Sequence, residues 1–434
     1  MTHEQKIKRI SSFLASRKSR EPIALRKKSV SHEVPKKGDK KYTDERLDIG
    51  DLNEILKIDV KERTCTAEPG VTFIQLVKAT LPHGLVPIVV PELKTITIGG
   101  AVAGCSIESM SFKYGGFHDN CLEYEVVNAK GEVINCSPEK DNLLFQMMHG
   151  TFGTLGIITK LKFKLIPAKK FVKVVYEKYD NLDDYLKAIY GYFKNKNADF
   201  MDGIIHSPTE YVLSIGNFVD EAPYTNKYDW MKIYYLSTKK RKEDYLKTIY
   251  YFFRYDKGVT NVNPKSFIGR LLFGKFINST TVLRFANRFH KIIPADNIPI
   301  TVDTFIPFSK MKKFMDWYKE NVGHFALWVV PYKIVRVYEW ASPNLNIEDE
   351  LFIDIAIYGM KPKKGVNYYK MIEKELYKIG GIKTLISQNY YTEEEFWNSW
   401  NKENYDKIKK RTDPNNIFRN LYEKTCRAAM GIGK

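Results

Sequence analysis

Residues 91–109 read PELKTITIGGAVAGCSIES and lie between two apolar, strand-like runs of the chain. The stretch contains Gly99, Gly100 and Gly104, and threonines and serines lie on both sides of these glycines. Glycine allows positive φ and leaves the backbone bare, so that a flat or anionic ligand can approach the main chain. Backbone N–H groups freed in this way can bind phosphate oxygens. From composition alone, a glycine-rich packing turn is an equally good interpretation.

The overall composition indicates a folded protein with an unusual charge. The 434 residues are 44% hydrophobic and 14% aromatic, and their formal net charge is +18. The basic residues are scattered, which is typical of a solvated surface rather than of a nucleic-acid-binding stripe. The five cysteines include no C-x-x-C pair, which argues against a disulfide framework and a structural zinc site. We therefore predict a reducing compartment, no metal site and no specific nucleic-acid partner.

Targeting signals and apolar segments bear on where the protein resides. The N-terminus lacks the apolar region of a secretory signal, and no window approaches the roughly eighteen apolar residues of a transmembrane helix. We expect a cytoplasmic protein that is not secreted. Residues 250–276 interleave basic and aromatic side chains, as an element in peripheral contact with an anionic membrane would. A buried helix pair whose lysines reach solvent is the alternative.

Hydrophobic periodicity divides the chain into three parts. Short strands and helices alternate up to Pro167, including a strand and a helix within residues 51–58, a helix that starts at Phe73 and an alternating strand that ends at Pro167. Long aromatic strands and lysine-rich helices follow. We predict domains at 1–168 and 169–390, and a helical segment at 391–434 that returns to the first domain.

Four ordered segments extend the glycine-rich stretch. They are IGG at 98–100, SFKYGGFHDN at 111–120, EVVNAKGEV at 125–133 and LLFQMMHGTFGTLGIIT at 143–159. In order and spacing they resemble the FAD-binding domain of the vanillyl-alcohol oxidase / p-cresol methylhydroxylase (PCMH) superfamily. The resemblance implies an α+β, two-domain PCMH-type fold, in which two small subdomains hold FAD and an antiparallel-sheet cap domain binds the substrate.

Further segments narrow the resemblance and cover both domains. They are EPGVT at 68–72, GTLGIITKLKFKLIPAKKFVK at 153–173, ALWVVPY at 326–332, YTEEEFW at 391–397 and LYEKTCRAA at 421–429. They resemble the sterol side-chain reductase branch of the superfamily. That branch implies an FAD-dependent oxidoreductase that reduces a C=C bond of a sterol or isoprenoid-like lipid, with NADPH or NADH as the reductant.

One departure from the superfamily concerns its N-terminal pyrophosphate loop, which is rich in glycine. Here the equivalent region reads ALRKKSVSHEV at 24–34 and contains no glycine. The charges of Arg26 and Lys27 are candidates to replace the missing N–H groups. We expect FAD to be bound without a covalent bond, because His32 lacks the G-H-S context of flavin attachment.

The resemblance also implies which residues contact FAD. For the glycines, a packing turn is the alternative interpretation. For Lys113 and Tyr114, the alternative is a solvated lysine beside a packed tyrosine. These residues are Thr97, Ile98, Gly99, Gly100, Gly104, Cys105, Ser106, Ser109, Lys113, Tyr114, Gly115, Gly153, Gly156 and Ile157.

Candidates for the chemistry come from both domains. Glu108, Tyr114 and His118 are the candidate proton donors, and a surface carboxylate is the alternative for Glu108. Trp328, Tyr332 and Arg336 flank a strand that resembles the substrate wall of the family, and core packing is the alternative for Trp328.

Two other functions stay open at this level. The same fold hosts oxidases and dehydrogenases of alcohols, sugars or hydroxy acids, so that the fold alone does not select the reaction. A basic protein that binds nucleic acid or membranes without catalysis is the alternative from another class, and it predicts protein without flavin colour.

Overall fold

Three β-sheets form the framework of the chain in the computed structural model, which describes residues 1–36, 38–261, 281, 299–345 and 347–431. The strands of these residues are β1 (Ile23–Arg26), β2 (Glu45–Asp48), β3 (Ile55–Asp59), β4 (Thr64–Ala67), β5 (Leu85–Pro87), β6 (Cys121–Val127), β7 (Val133–Cys136), β8 (Ile157–Pro167), β9 (Phe171–Tyr179), β10 (Phe200–Ser207), β11 (Glu210–Val219), β12 (Glu243–Lys247), β13 (Ile300–Pro307), β14 (Leu327–Lys333), β15 (Leu351–Met360) and β16 (Ile382–Lys383).

Helices connect and cover these strands. The α-helices of the described residues are His3–Ala15, Phe73–Thr80, Ile98–Ala103, Ser111–Tyr114, Asn142–Met147, Leu182–Asn195, Tyr234–Ser237, Thr248–Phe252, Met311–Asn321, Tyr368–Lys378, Glu393–Ser399 and Lys402–Thr412. Short 3₁₀ turns lie at Lys40–Tyr42, Leu81–His83, His118–Asn120 and Phe308–Lys310, and a π-helical turn at Glu423–Arg427.

The first large sheet has the order β3-β4-β8-β6-β7, and β5 pairs with the end of β8. Apolar and polar residues alternate along β8, so that Leu161 and Phe163 are buried while Lys162 and Lys164 are exposed; this is the pattern of a strand with one buried face. The predicted helix within residues 51–58 does not form, because Ile55–Asp59 pairs with β4 as a strand.

The second large sheet is antiparallel, with the order β12-β9-β11-β10-β14-β15-β13-β16. The amphipathic helices Leu182–Asn195, Met311–Asn321 and Tyr368–Lys378 bury their apolar sides in a single core with one face of this sheet. Side chains of the other face share a core with the first sheet. Helices and antiparallel sheets together confirm the predicted α+β fold.

The two predicted boundaries lie between elements. Residue 169 falls in the connection between β8 and β9, and residue 391 lies just before the helix Glu393–Ser399. The C-terminal part then contacts the first domain, since the Tyr405 hydroxyl donates to Thr154 Oγ1 at 2.9 Å and Lys424 Nζ donates to the carbonyl of Phe152 at 2.6 Å. No structural finding tests the boundaries themselves, which stay predictions.

The stretch 250–276 is only partly within the described residues, and 262–276 lie outside them. In the described part, Tyr251, Phe252 and Arg254 are buried against the second sheet rather than placed on a surface. Aromatic rings at this point fill the core, and the arginine pairs with buried carboxylates. Helices of the described residues are all too short or too polar to cross a membrane.

Candidate functional site

A cavity of about 900 Å³ lies between the first sheet, the second sheet and the C-terminal segment. Its size is at the upper end of the range for small-molecule sites, about 300–1,000 Å³. The N-terminal segment 23–33, the glycine-rich stretch and the start of β8 form one side of the cavity. Residues of β13, β14 and β15 form the other side, so that two separate parts of the chain enclose the ligand space.

The glycine-rich stretch forms a short helix at the cavity wall. Thr97 caps the helix, and its Oγ1 accepts a hydrogen bond from the N–H of Gly100 at 3.2 Å. The N–H of Gly99 donates to the carbonyl of Pro69 at 2.9 Å. A Cβ at Gly99 would lie 2.5 Å from Cβ of Pro69, so only glycine fits this contact.

Two expectations for this stretch are wrong in detail. Gly99, Gly100 and Gly104 do not have positive φ, and positive φ occurs instead at the next residue, Cys105, with a φ of 53°. The first N–H groups of the helix are engaged within the protein rather than freed, because the cap and the turn at Pro69 satisfy them. What the glycines provide is close approach of the backbone, both to Pro69 and to the cavity.

The turn before β8 supplies the second glycine wall. Gly153 has a φ of 73° and Gly156 a φ of 155°, conformations that side chains disfavour. A Cβ at Gly156 would lie 2.6 Å from Cγ1 of Val126, whereas one at Gly153 would meet nothing nearer than Leu25 Cδ1 at 3.7 Å. Gly156 is therefore needed for packing, and Gly153 leaves space at the cavity wall.

The loop 27–33 provides hydrogen-bond donors that sequence reasoning did not find. Among the described residues, the N–H groups of Lys28, Ser29, Val30 and Ser31 donate to no other backbone group. The buried hydroxyl of Ser29 also has no partner within the described chain. All four residues line the cavity. Backbone N–H groups in a turn form the kind of cradle that binds phosphate oxygens, even though this loop has no glycine.

A cluster of lysines surrounds that loop and lines the same end of the cavity. It consists of Lys27, Lys36, Lys41 and Lys424. Desolvation opposes ionisation of Glu33, but the charges of these lysines lower its pKa to about 2. Desolvation in turn lowers the pKa of the buried Lys36, while the charge of Glu33 opposes this shift. Arg26 differs, because its Nε lies 3.6 Å from the carboxylate of Asp48. Four lysines outnumber the two carboxylates among them, Glu33 and Asp39, of which Asp39 lies 3.0 Å from Lys41, so this end of the cavity favours an anion.

Several residues that sequence analysis placed at the cofactor line the cavity, and others do not. Those at the wall are Thr97, Gly99, Gly100, Gly104, Cys105, Ser106, Gly153, Gly156 and Ile157. Those away from it are Ile98, Ser109, Lys113, Tyr114 and Gly115. Lys113 Nζ lies 3.9 Å from Asp199 and donates to the carbonyl of Ala198 at 3.3 Å. No finding tests the individual contacts to FAD, and the assignments at the wall stay predictions.

Glu108 lies in a buried ion cluster behind the cavity wall. Arg254 Nη2 is 3.1 Å from Glu108 Oε1 and 3.0 Å from Asp202 Oδ2. Desolvation raises the pKa of Glu108, while Arg254 opposes this shift. The same Asp202 oxygen accepts hydrogen bonds from Tyr255 at 2.8 Å and from Trp328 Nε1 at 3.0 Å. Glu108 is thus a buried partner of Arg254, not a surface carboxylate and not a residue at the cavity wall.

His118 belongs to a second buried network, beside a small apolar cavity of about 80 Å³. Its Nε2 lies 3.4 Å from Asp119 Oδ2, an oxygen that accepts hydrogen bonds from Tyr332 at 3.2 Å and Tyr338 at 3.0 Å. Arg336 Nη2 donates to the carbonyl of Asp119 at 2.9 Å. Desolvation lowers the pKa of His118, while the charge of Asp119 opposes this shift, so that burial disfavours the doubly protonated ring.

The three candidate substrate residues lie at different places in the structure. Trp328 lines the large cavity, whereas Tyr332 lines the small one. Arg336 lines neither and is engaged with Asp119. Trp328 is also 95% buried, so that core packing and cavity lining coincide in this residue.

Three acidic residues of the large cavity escaped sequence reasoning, two on β13 and β15 and one on the facing stretch 91–109. Glu92, Asp303 and Asp354 line the large cavity together with Phe305 and Tyr358. Asp354 lies within FIDIAIYG at 352–359, where one polar residue interrupts a run of buried ones. An aspartate within an apolar central strand was the sequence signal for this site, because a buried carboxylate in a strand is normally paired or functional.

The cavity suits a dinucleotide with a diphosphate. Its cationic end combines N–H donors, the unpartnered Ser29 hydroxyl and four lysines, and its glycine wall allows a flat ring to meet the backbone. Residues 5–137 match the family described as FAD binding domain. The chain therefore carries a PCMH-type FAD-binding domain and is an FAD-dependent oxidoreductase.

Relatives extend the similarity to both domains. The chain is 27% identical over 400 residues to delta(24)-sterol reductase of Homo sapiens, and the match covers 87% of this chain and 77% of the human protein. It is 26% identical over 421 residues to the delta(24)-sterol reductase homolog of Caenorhabditis elegans, with 87% and 78% covered. The Arabidopsis thaliana delta(24)-sterol reductase is 23% identical over 434 residues, with 87% and 76% covered.

Proposed function

We propose that this protein reduces a C=C bond of a sterol or isoprenoid-like lipid, with NADPH or NADH as the reductant and with FAD bound without a covalent bond. The observation that carries the proposal is the wall opposite the glycines, where the aromatic Trp328 and Phe305 lie beside buried carboxyl groups. Apolar rings suit a hydrocarbon substrate, and a buried carboxyl group suits protonation of its carbon. The relatives that match most of the chain carry the name delta(24)-sterol reductase, which supports the same reaction.

FAD, when bound, supplies the hydride chemistry that no side chain can perform. The residues of this chain would do the remaining work. Lys27, Lys36 and the N–H groups of the loop 28–31 would hold the diphosphate, and the glycine wall would admit the ring system. Trp328 and Phe305 would exclude water from the substrate side, which strengthens every charge interaction there.

The test is an anaerobic experiment on the flavin of the purified protein. After reduction with NADPH or NADH, the flavin should be reoxidised by a sterol with an unsaturated side chain. The same sterol with a saturated side chain is the matched control and should leave the flavin reduced. Reoxidation by neither sterol, together with flavin reduction by an alcohol, sugar or hydroxy acid, would identify an oxidase or dehydrogenase instead. Protein that purifies without flavin absorption would point to the non-enzymatic alternative.

Peripheral contact with an anionic membrane fits a lipid substrate and a net charge of +18. Lipid vesicles that contain an anionic lipid should pellet the protein at low salt, and neutral vesicles should not. Equal recovery in the supernatant with both vesicle types would contradict membrane contact.

A further inference from the structure

The pairing of β13, β14 and β15 brings polar and apolar side chains together on the sheet face that lines the cavity. Asp303 pairs with Ala356, and Phe305 pairs with Asp354 across β13 and β15. Because side chains alternate along strands, Asp303 and Asp354 are diagonal neighbours on the same face. Trp328 on β14 also pairs with Ala356 and shares this face. Two carboxyl groups therefore lie beside one another at the cavity wall.

The two carboxyl groups differ in their hydrogen bonds. Asp303 Oδ1 accepts a hydrogen bond from the Tyr358 hydroxyl at 2.5 Å. Asp354 Oδ1 accepts one from the N–H of Thr304 at 2.9 Å. Asp354 is 97% buried, and its Oδ2 has no hydrogen-bond partner within the described part of the chain. Asp303 is thus held by a tyrosine hydroxyl and Asp354 by a backbone N–H, and among the described residues the Oδ2 atom of each carboxyl group accepts no hydrogen bond.

Charges on every neighbouring element decide which of the carboxyl groups keeps a proton. Desolvation and then the charge of Asp303 raise the pKa of Asp354, the N–H of Thr304 opposes this shift, and Glu92 from the facing stretch adds to it. Desolvation also raises the pKa of Asp303, but Tyr358 and Lys383 oppose it. Glu92 is itself raised to a pKa of about 8 by desolvation, with Glu108 and Asp303 contributing and Arg254 opposing.

We infer that Asp354 is the proton donor to the alkene carbon in the proposed reaction, and that Asp303 and Tyr358 are positioning residues that hold the proton on it. The inference rests on the proposed function. It replaces three weaker candidates: Glu108 is paired with Arg254, and neither Tyr114 nor His118 lines the large cavity.

The step balances in atoms and electrons. FAD, when bound and reduced by NADPH or NADH, would supply the hydride for one alkene carbon. The π pair would form the second C–H bond, at the other carbon, with the proton of Asp354. The O–H bond of Asp354 breaks and leaves a carboxylate next to Asp303. Asp354 then takes a proton from solvent before the next turnover, which the repulsion between the two carboxylates favours.

The experiment follows the two half-reactions of the holoenzyme separately by stopped flow. Asp354→Asn keeps the shape of the side chain but removes the transferable proton. Flavin reduction by NADPH should stay within about 2-fold of the wild type, whereas reoxidation by the unsaturated sterol should slow by about 10²–10⁴-fold, the usual contribution of a general acid. Asp220→Asn, on an exposed aspartate, is the matched control and should change neither rate.

The pH dependence of the reoxidation rate distinguishes a proton donor from a residue with only a structural role. In the wild type, the reoxidation rate should fall as pH rises through the pKa of the carboxyl pair, while flavin reduction should not follow that ionisation. The infrared difference spectrum, wild-type minus Asp354→Asn holoenzyme at neutral pH, should show the C=O stretch of a protonated carboxylic acid, because the acid of Glu92, with a pKa of about 8, is present in both proteins and cancels. This readout does not depend on turnover.

Each outcome separates the inference from the proposed function. If the unsaturated sterol reoxidises the wild type and Asp354→Asn at equal rates, only the inference is overturned. If no alkene reoxidises the wild type, the proposed function fails and the proton-transfer role fails with it. Should Asp354→Asn not fold, a wild-type reoxidation rate that stays constant from acidic to alkaline pH, or the absence of any carboxylic-acid band from the wild-type spectrum, overturns the inference.

Discussion

Two glutamates at the opposite ends of one cavity have opposite properties. Lysines surround Glu33 and lower its pKa to about 2 against the effect of desolvation. Desolvation and neighbouring carboxylates raise the pKa of Glu92 to about 8. Both residues line the cavity. The cavity is therefore electrically polarised: one end suits a diphosphate, and the other end suits a group that must keep a proton.

This contrast shows that part of the positive net charge of the chain is placed at the cavity. The excess of lysine is not only a solvated surface, since four lysines lie around the anion end of the cavity. At the acidic end, Arg254 is a buried cation within contact distance of both Glu108 and Asp202. Substitutions at the two ends should consequently fail in different ways.

The largest expected effect is on stability, from the loss of the buried cation at the acidic end. Arg254→Met would leave Glu108 and Asp202 buried and unpaired, because both lie about 3 Å from the guanidinium. Breaking a buried pair in this way costs about 3–5 kcal/mol. Denaturant unfolding of the purified variant measures the loss.

A charge-free version of the cluster is the control for Arg254. Adding Glu108→Gln and Asp202→Asn to Arg254→Met removes the unpaired charges and should recover part of the lost stability. If Arg254→Met alone unfolds within about 1 kcal/mol of the wild type, the acidic end does not depend on this ion cluster.

The next effect is on cofactor affinity at the anion end. Lys27→Gln should weaken FAD binding by about 10-fold or more, because a hydrogen bond to a charged group contributes about 1.5–3 kcal/mol. Titration of FAD into the apoprotein measures the dissociation constant. Arg26→Gln should have a smaller effect, since the charge of Arg26 is already paired with Asp48 at 3.6 Å.

Lys18→Gln is the control for this loss of charge, because Lys18 is exposed and does not line the cavity. It tests whether a general decrease in positive charge explains the result. Wild-type FAD occupancy in Lys27→Gln would rule out the lysine cluster as the diphosphate site.

How far the sequence predicted this molecule depends on the range of the interactions involved. Local patterns predicted the helix Phe73–Thr80 and the strand Ile157–Pro167, because apolar periodicity sets both. Motif spacing predicted the FAD-binding domain, which the family match confirms. The conformation of Gly99 and Gly100 was predicted less well, since a contact with Pro69, a residue distant in sequence, determines it.

The acidic end was beyond sequence reasoning for a physical reason. Asp303 and Asp354 are 51 residues apart, and only the register of β13 and β15 makes them neighbours. The same holds for Glu108, because its ion-pair partner Arg254 is 146 residues away in the sequence and lies 3.1 Å from it in the fold. Roles that depend on long-range pairing cannot be read from one segment, whereas close backbone approach leaves glycine as a local signal.

A smaller effect compares the two glutamates directly by pH. The pKa of Glu33 is depressed, so its stabilising contribution is present above about 4.5 and lost as pH falls towards about 2. The pKa of Glu92 is raised, so its contribution is present below 4.5 and lost as pH rises through about 8. In FAD-free protein at mildly alkaline pH, Glu33→Gln should lower the unfolding free energy, by ~2 kcal/mol after allowance for solvent screening, and Glu92→Gln should raise it.

Thermal unfolding of both variants at acidic and alkaline pH checks these signs. The difference between wild type and Glu92→Gln should shrink at pH 5, where the wild-type carboxyl group is protonated as well. Shifts of the same sign for the two variants at alkaline pH would contradict the polarised cavity.

The smallest effect separates packing from ligand space at two adjacent glycines. A Cβ at Gly99 would lie 2.5 Å from Cβ of Pro69, whereas at Gly100 the nearest atom is Thr97 Oγ1 at 3.1 Å. Gly99→Ala should therefore destabilise the fold by about 1 kcal/mol or more through overpacking. Gly100→Ala gains about 0.5–1 kcal/mol of helix preference, which offsets the tight contact with Thr97. Its added methyl group lies at the cavity wall, so FAD affinity should fall several-fold while stability stays near the wild type. Denaturant unfolding and FAD titration of both variants measure the two effects. If Gly100→Ala bound FAD with wild-type affinity, both glycines would serve packing alone.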